Sequence, residues 1–169
     1  SNFLFSATSK KQFSSVAVPR RVETTGVGRG PMRRILEKIN EFTVEAGRPD
    51  CLSEDKLRAM EEAGVNRISL NPQTMHDPTL RLIGRQHTVQ QVYEAYDMIR
   101  KGKIPVVNMD LIVGLPQESR ADTKYSLNKM LDFCPENLTI HTLTLKKGAP
   151  LFKERDKFKF LSAEEATEV

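Results

Sequence analysis

The chain has 169 residues, of which 28% are charged and 38% hydrophobic, and its formal net charge is +4. This length is enough for one buried core. No apolar run approaches the ~20 residues of a membrane span, so a membrane protein is excluded and a cytoplasmic location is expected. The two cysteines, Cys51 and Cys134, belong to no ligand or disulfide motif and fit a reducing compartment. Because free cysteines are usually buried and inert, we expect both to be packing residues.

The first 36 residues are basic, rich in serine and threonine, and poor in acids. Their charged side chains are Lys10, Lys11, Arg20, Arg21, Arg29, Arg33 and Arg34 against Glu23. An organelle transit peptide and a nucleic-acid-binding arm share this composition, but no stacking motif or recognition fold accompanies it. We therefore expect residues 1–30 to be a poorly ordered basic leader, and we expect no nucleic acid as a partner.

Four segments have the apolar pattern of β-strands. They are residues 41–46, 67–75, 108–116 and 138–143. Pro116 ends the third segment, because proline cannot donate to a sheet ladder. Asp110 lies inside the same segment, and a carboxylate among Met, Leu, Ile and Val is costly unless a ligand, a cation or a hydrogen-bond donor meets it. Asp110 is therefore predicted to belong to a site.

Segments with helical periodicity separate these strands. The first apolar stripe is bounded by Ser53 and Gly64, the second by Thr88 and Gly102, and the third ends at Pro135. The stripes consist of Leu57, Met60 and Ala63; of Val89, Val92, Tyr93, Tyr96 and Ile99; and of Leu127, Met130, Leu131 and Cys134. Strands that alternate with helices at this spacing predict βαβ units and a parallel sheet.

Three strings within these segments occur together in one family. They are Glu-Ala-Gly-Arg-Pro-Asp at 45–50, Asn-Pro-Gln-Thr-Met at 71–75 and Asp-Leu-Ile-Val-Gly-Leu-Pro at 110–116. Over roughly residues 32–150 the chain resembles the radical S-adenosylmethionine (SAM) enzymes of the oxygen-independent coproporphyrinogen III oxidase group, most of all their coproporphyrinogen dehydrogenase branch. The resemblance implies an α/β fold, in which residues 31–150 form an incomplete parallel (β/α) barrel with about four of the six strands of a radical SAM barrel. Residues 151–169 would be a linker and the start of a following helical region.

The resemblance also implies an activity and its cofactors. In that family SAM and a [4Fe-4S] cluster generate a 5′-deoxyadenosyl radical. The radical starts the oxidative decarboxylation of coproporphyrinogen III to protoporphyrinogen IX, and an electron donor is the partner. The cluster is held by a Cys-x-x-x-Cys-x-x-Cys loop, which this sequence lacks. We therefore interpret the chain as a fragment without metal ligands, inactive by itself and able to self-associate through exposed sheet edges. The alternative on the same barrel is a haem-binding protein or haem chaperone, with His141, His76 or Met75 as a ligand.

Five residues are predicted to contact SAM. Glu45, Gln73 and Asp110 fall at strand ends, where parallel sheets bind their ligands. Their carboxylates and amide suit the ribose hydroxyls and the other polar groups of SAM. By resemblance, Arg85 holds the methionyl carboxylate, because an arginine fork can make two parallel charged bonds, and Ile112 packs against the adenine.

Each of these residues also has a purely structural interpretation. Asp110 and Glu45 could form ordinary ion pairs, and Gln73 could cap the turn that follows its strand. Arg85 could be an exposed helix exit, and Ile112 could belong to the core.

Three further features remain open on the sequence alone. His141 is expected to be a core histidine rather than a substrate contact. The basic stretch 146–159 is expected to be an exposed linker, although it could also meet the propionates of a porphyrinogen. A metal-free barrel enzyme with Glu45 and Asp110 as acid and base is a third, weaker functional interpretation.

Overall fold

The structure is a computed structural model that describes residues 40–144 and 155–167. Its strands are β1 (Thr43–Gly47), β2 (Arg67–Gln73), β3 (Val106–Val113) and β4 (Asn137–Thr142). Its α-helices are α1 (Glu54–Glu62), α2 (Asp77–Leu82), α3 (Val89–Lys101), α4 (Arg120–Asp132) and α5 (Ala163–Thr167). The predicted leader over residues 1–30 and residues 146–154 of the basic stretch lie outside the described residues. None of the described helices is long and apolar enough to cross a membrane.

The four strands form one parallel sheet in the order β1-β2-β3-β4. Each strand lies beside its neighbour in the chain, and α1, α2 with α3, and α4 make the crossovers between them. The predicted α/β fold is therefore confirmed, and each predicted strand is present with its ends shifted by up to three residues. Among the described residues, β1 and β4 are the outer strands of the sheet.

One face of the sheet packs against the helices and forms the core. The strand residues of this face are fully buried: Ile68, Leu70, Val107, Met109 and Leu111. The helices contribute Leu57, Val92, Ile99 and Met130 to the same cluster. The alternation of the strands leaves their other residues on the opposite face.

The helix boundaries agree with the capping signals in the sequence. Ser53 accepts a hydrogen bond from the first turn of α1, and Gly64 follows that helix at φ +82°. Thr88 and Gln91 form the predicted reciprocal capping box at the start of α3. These short-range signals depend only on neighbouring residues.

The sequence was misread at several places. Ala63 and Tyr93, which were assigned to the first two apolar stripes, are exposed. Helix α2 was not predicted, and Leu131 and Cys134 were assigned to a buried stripe, whereas Leu131 is 51% exposed and Cys134 is exposed. Cys51 is exposed as well, in the 3-10 turn after β1. The expectation that both cysteines are buried packing residues is therefore wrong, because each lies in a surface turn beyond the end of its element.

Candidate cofactor-binding site

The face of the sheet opposite the helices is polar. We call it the polar face, and it is formed by Glu45, Ser69, Asn71, Asn108, Asp110, Thr139 and His141. The register aligns Glu45 with Ser69 and Asn108, and Asp110 with Thr139. Side chains from all four strands therefore meet on one surface.

A line of hydrogen bonds runs across this face from β1 to β3. The Asn71 amide donates to Glu45 Oε1 at 3.0 Å, and the Ser69 hydroxyl donates to Asn71 Oδ1 at 3.3 Å. Asn108 Nδ2 donates in turn to Ser69 Oγ at 2.9 Å. Glu45 is therefore held by an amide from the neighbouring strand while it remains exposed.

The same line continues from Asn108 to Asp110 and β4. Asn108 Nδ2 also donates to Asp110 Oδ1 at 2.7 Å, and Thr139 Oγ1 donates to Asn108 Oδ1 at 2.9 Å. The amide of Asn108 thus joins three strands. Its two roles, donor to a carboxylate and acceptor from a hydroxyl, fix its orientation.

Asp110 is a largely buried carboxylate, with a side chain that is 14% exposed. Burial raises the pKa of Asp110, the nearby carboxylate of Glu45 raises it further, and the hydrogen bond from Asn108 opposes the rise. His141 Nε2 lies 3.8 Å from Asp110 Oδ2, which is too long for a hydrogen bond. His141 is half-buried on the polar face, so the expectation of a core histidine is wrong.

Arg85 supplies a positive charge near this carboxylate. It follows α2, and its backbone N–H donates to Leu80 O at 2.8 Å. Desolvation lowers the pKa of the guanidinium, the charge of Arg48 lowers it too, and Asp50 and Asp110 oppose them. Arg85 is half-buried rather than an exposed helix exit, and its side chain makes no hydrogen bond or ion pair with any described residue.

Gln73 and Ile112 complete the predicted set. Gln73 is the last residue of β2, is 5% exposed, and its amide makes no hydrogen bond to the part of the chain that the structure describes. Ile112 is buried with Ile83 and Leu115 in a small cluster separate from the main core. It lies opposite His141 in the register.

Glu45 and Arg85 each lie close enough to Asp110 for their charges to interact: Glu45 raises the pKa of Asp110, and Asp110 opposes the lowered pKa of Arg85. Gln73 lies opposite Leu111, beside the strand that carries Asp110 and Ile112. The role of the five residues as cofactor contacts stays a prediction.

Sequence reasoning missed the residues that connect the site. Asn71, Asn108, Ser69 and Thr139 organise the two carboxylates, and none of them was singled out. A signal was available, because Asn108 precedes Asp110 by two positions and so lies on the same face of its strand.

Of the two cofactors that the sequence resemblance implies, the residues of this chain fit SAM but not the [4Fe-4S] cluster. Two carboxylates, with an amide and a guanidinium that have no partner among the described residues, match the hydroxyl, amine and carboxylate groups of SAM. A [4Fe-4S] cluster does not fit, because the sequence has only Cys51 and Cys134. Within the described ranges, no group of three or more His, Cys, Asp or Glu side chains is arranged to hold a metal.

Comparison with known proteins identifies the family of the chain. The profile of the Radical SAM superfamily matches residues 25–130. The chain is 40% identical, over 79% of its length, to the oxygen-independent coproporphyrinogen-III oxidase-like protein HemZ of Bacillus subtilis, of which it covers 27%. It is 31% identical, over 72% of its length, to the heme chaperone HemW of the same organism, of which it covers 35%. The chain belongs to the radical SAM superfamily.

Solved structures show the same fold. The coproporphyrinogen III oxidase HemN of Escherichia coli superposes with a TM-score of 0.65 at 21% identity, covering 81% of this chain and 33% of that protein. The archaeal Elp3 of Methanocaldococcus infernus superposes with a TM-score of 0.70 at 28% identity, covering 76% and 31%. The fold is a partial parallel (β/α) barrel of the radical SAM type, and the chain spans about a quarter to a third of the length of the curated relatives that it matches.

Proposed function

We propose that this chain is the SAM-holding part of a radical SAM oxidoreductase of porphyrin metabolism. The whole protein would convert coproporphyrinogen III to protoporphyrinogen IX by oxidative decarboxylation, with an electron donor as its partner. The similarity to HemZ, which is higher than that to HemW, supports the choice of substrate. When bound, SAM and a [4Fe-4S] cluster would supply the one-electron chemistry, and the residues of this chain would bind and orient SAM.

In our proposal, each of the five predicted contacts has its own task. The carboxylates of Glu45 and Asp110 would accept hydrogen bonds from the ribose hydroxyls and the ammonium group, and the free amide of Gln73 would donate or accept beside them. Arg85 would bind the methionyl carboxylate through two parallel bonds. Ile112 would cover the adenine from its small apolar cluster.

The observation that carries this proposal is the half-buried guanidinium of Arg85, whose charge is not neutralised by an ion pair within the described residues. A partly desolvated charge without a partner is unfavourable unless a ligand meets it. The side chain of Arg85 has no hydrogen bond or ion pair to the described residues, and Asp110 is near enough to affect its pKa. An incoming carboxylate would complete the pairing.

Calorimetric titration of the 169-residue chain with S-adenosylhomocysteine, an unreactive relative of SAM, tests the binding step. A hydrogen bond to a charged group is worth about 1.5–3 kcal/mol, so Asp110→Asn and Arg85→Gln should each weaken binding about ten- to hundred-fold. Asp132→Asn is the matched control, since Asp132 is exposed near the end of α4 and pairs only with Lys129 at 3.8 Å. Equal affinities for wild type and both site variants would refute the assignment.

Enzymatic turnover needs more than this chain in our proposal. The isolated chain carries no cysteine triplet for a cluster, so we expect it to leave coproporphyrinogen III unchanged with SAM and a reductant. Protoporphyrin formation above the level of a protein-free control would contradict this expectation.

A haem-binding role is the second candidate, and His141 favours it. Two other histidines are occupied: His76 Nε2 lies 3.1 Å from Asp122 O, and His87 is buried against Pro72 O. Met75 is buried in the core, whereas His141 is half-buried on the polar face. Haem titration of wild type and His141→Ala, followed at the Soret band, separates the two roles, because only haem ligation predicts a shift that the substitution removes.

A further inference from the structure

The backbone at Gln73 has an unusual conformation. Its φ is +72°, in the left-handed region that residues other than Gly, Asn and Asp rarely adopt. Non-glycine residues persist there only when the surrounding structure holds them. Gln73 is also the last residue of β2, and its free amide is one of the predicted SAM contacts.

Buried polar side chains make hydrogen-bonding contacts with the residues on both sides of Gln73. Before it, the carbonyl of Pro72 lies 3.2 Å from Nε2 of His87. After it, the hydroxyl of Thr74 donates to Glu118 Oε1 at 2.6 Å. Residues from two later parts of the chain therefore hold the carbonyl group before Gln73 and the side chain of the residue after it.

Helix α4 adds further hydrogen bonds to the turn that follows Gln73. Ser126 Oγ lies 3.1 Å from the Thr74 hydroxyl and accepts a hydrogen bond from the backbone N–H of Met75 at 3.0 Å. Thr74 and Ser126 are both completely buried. The turn after β2 therefore cannot rotate without breaking several buried hydrogen bonds.

These side chains are a poor choice if stability is their only role. Glu118 is 5% exposed, and its second oxygen, Oε2, makes no hydrogen bond of good geometry to the described residues, although the nearby Thr79 hydroxyl opposes the rise in the pKa of this carboxyl. His87 Nδ1 is likewise buried without a partner in the described ranges. Unpaired buried polar atoms destabilise a fold, and each such group calls for an explanation.

We propose that Glu118 acting through Thr74, and His87 acting through Pro72, hold Gln73 in the left-handed conformation and so direct its amide toward the proposed SAM site on the polar face. Both are positioning residues, since both are buried and act on Gln73 only through the residues next to it. The proposal deepens the proposed function and depends on it only for the ligand that Gln73 contacts.

The conformational part is tested without any ligand, by comparing Gln73→Gly with Gln73→Ala. Both substitutions remove the side chain, but only Gly adopts a positive φ without strain. We expect Gln73→Gly to melt above Gln73→Ala by about 3 °C or more. In a Thr74→Val background, which releases the turn, this advantage should vanish or change sign.

Thr123→Val is the matched control background. Thr123 is a buried threonine of α4 whose hydroxyl bonds only to Ser119 O in its own helix. The advantage of Gly over Ala at position 73 should be unchanged there. If Thr74→Val does not fold, Ser126→Ala replaces it, because it removes the contact with the Thr74 hydroxyl and also the hydrogen bond from the Met75 N–H. The proposal would be overturned if Gln73→Gly melted above Gln73→Ala by the same margin in the Thr74→Val and Thr123→Val backgrounds. It would also be overturned if the two substitutions gave equal melting temperatures in the otherwise wild-type chain.

The functional part is tested by titration with S-adenosylhomocysteine. Thr74→Val should weaken binding about three- to ten-fold, the value of one misplaced neutral hydrogen bond, and Thr123→Val should not weaken it. In a Gln73→Ala background, Thr74→Val should not weaken binding any further. If the role of Thr74 were merely structural, Thr74→Val would weaken binding equally with and without the Gln73 side chain. Failure of the wild-type chain to bind would refute the proposed function, while the Gly and Ala comparison would still decide the conformational claim.

Discussion

Asn108→Ala is the substitution that most directly tests the organisation of the polar face. Asn108 is 4% exposed and makes three side-chain hydrogen bonds, to Ser69, Asp110 and Thr139. The alanine variant removes all three and leaves Asp110 with one donor fewer. The pKa of Asp110 should then rise further, because the hydrogen bond from Asn108 lowers it.

The size of the effect follows from these bonds. One bond to a carboxylate is worth about 1.5–3 kcal/mol, and each of two neutral bonds about 0.5–1.5 kcal/mol. Water can replace part of this at a face that remains partly open, so we expect the free energy of unfolding to fall by about 3 kcal/mol. Urea denaturation measures this change directly.

Asn137→Ala is the matched control for this experiment. Asn137 lies directly opposite Asn108 in the register, but its side chain is exposed and has no hydrogen bond to the described residues. Its removal should change the free energy of unfolding by less than about 0.5 kcal/mol. If Asn108→Ala costs no more than this control, the hydrogen-bonded line does not organise the site and our reasoning is wrong.

Three further predictions concern pH, packing and association. Burial raises the pKa of Glu118 above its usual value of 4.5 in the folded chain. The contribution of this carboxyl to stability is therefore complete below pH 4.5 and is lost as the pH rises through the raised pKa. Urea denaturation at a series of pH values should show a flatter decline in stability for Glu118→Gln than for the wild type. Met130→Ala, at a fully buried position, should lower the free energy of unfolding by about 2–5 kcal/mol. Leu131→Ala, at the exposed position next to it, should lower it by less than about 0.5 kcal/mol. Similar losses for the two variants would refute the assigned orientation of α4. We also propose that the chain self-associates through β1 and β4, because unpaired strand edges recruit further strands. Sedimentation should then show association that grows with concentration, and a strictly monomeric chain would exclude it.

The fold was predictable where the signals were local. Thr88 and Gln91 mark the start of α3 through their own side chains, and Pro116 follows the strand that carries Asp110. The start of α4 was harder, because buried positions of that helix hold Thr123 and Ser126 rather than apolar residues. Hydrophobic periodicity cannot detect a helix face that buries hydroxyl groups against a neighbouring turn.

The candidate site was predictable only in part, for a similar reason. Asp110 could be identified because a carboxylate interrupts an apolar strand. The roles of Asn71 and Thr139 arise from the register between strands, which places residues that are 31 positions apart in contact, as with Thr139 and Asn108. The left-handed conformation of Gln73 could not be read from its residue type, which gives no preference for a positive φ.

The central claim is that the polar face of this sheet binds the nucleoside and amino-acid groups of SAM. Nuclear magnetic resonance of the 169-residue chain, titrated with S-adenosylhomocysteine, tests it directly. We predict that the backbone amide shifts concentrate at Glu45, Gln73, Arg85 and Asp110. Shifts confined to another surface, such as the groove of about 410 Å³ that Glu61 and Asp97 line between α1 and α3, would contradict the claim.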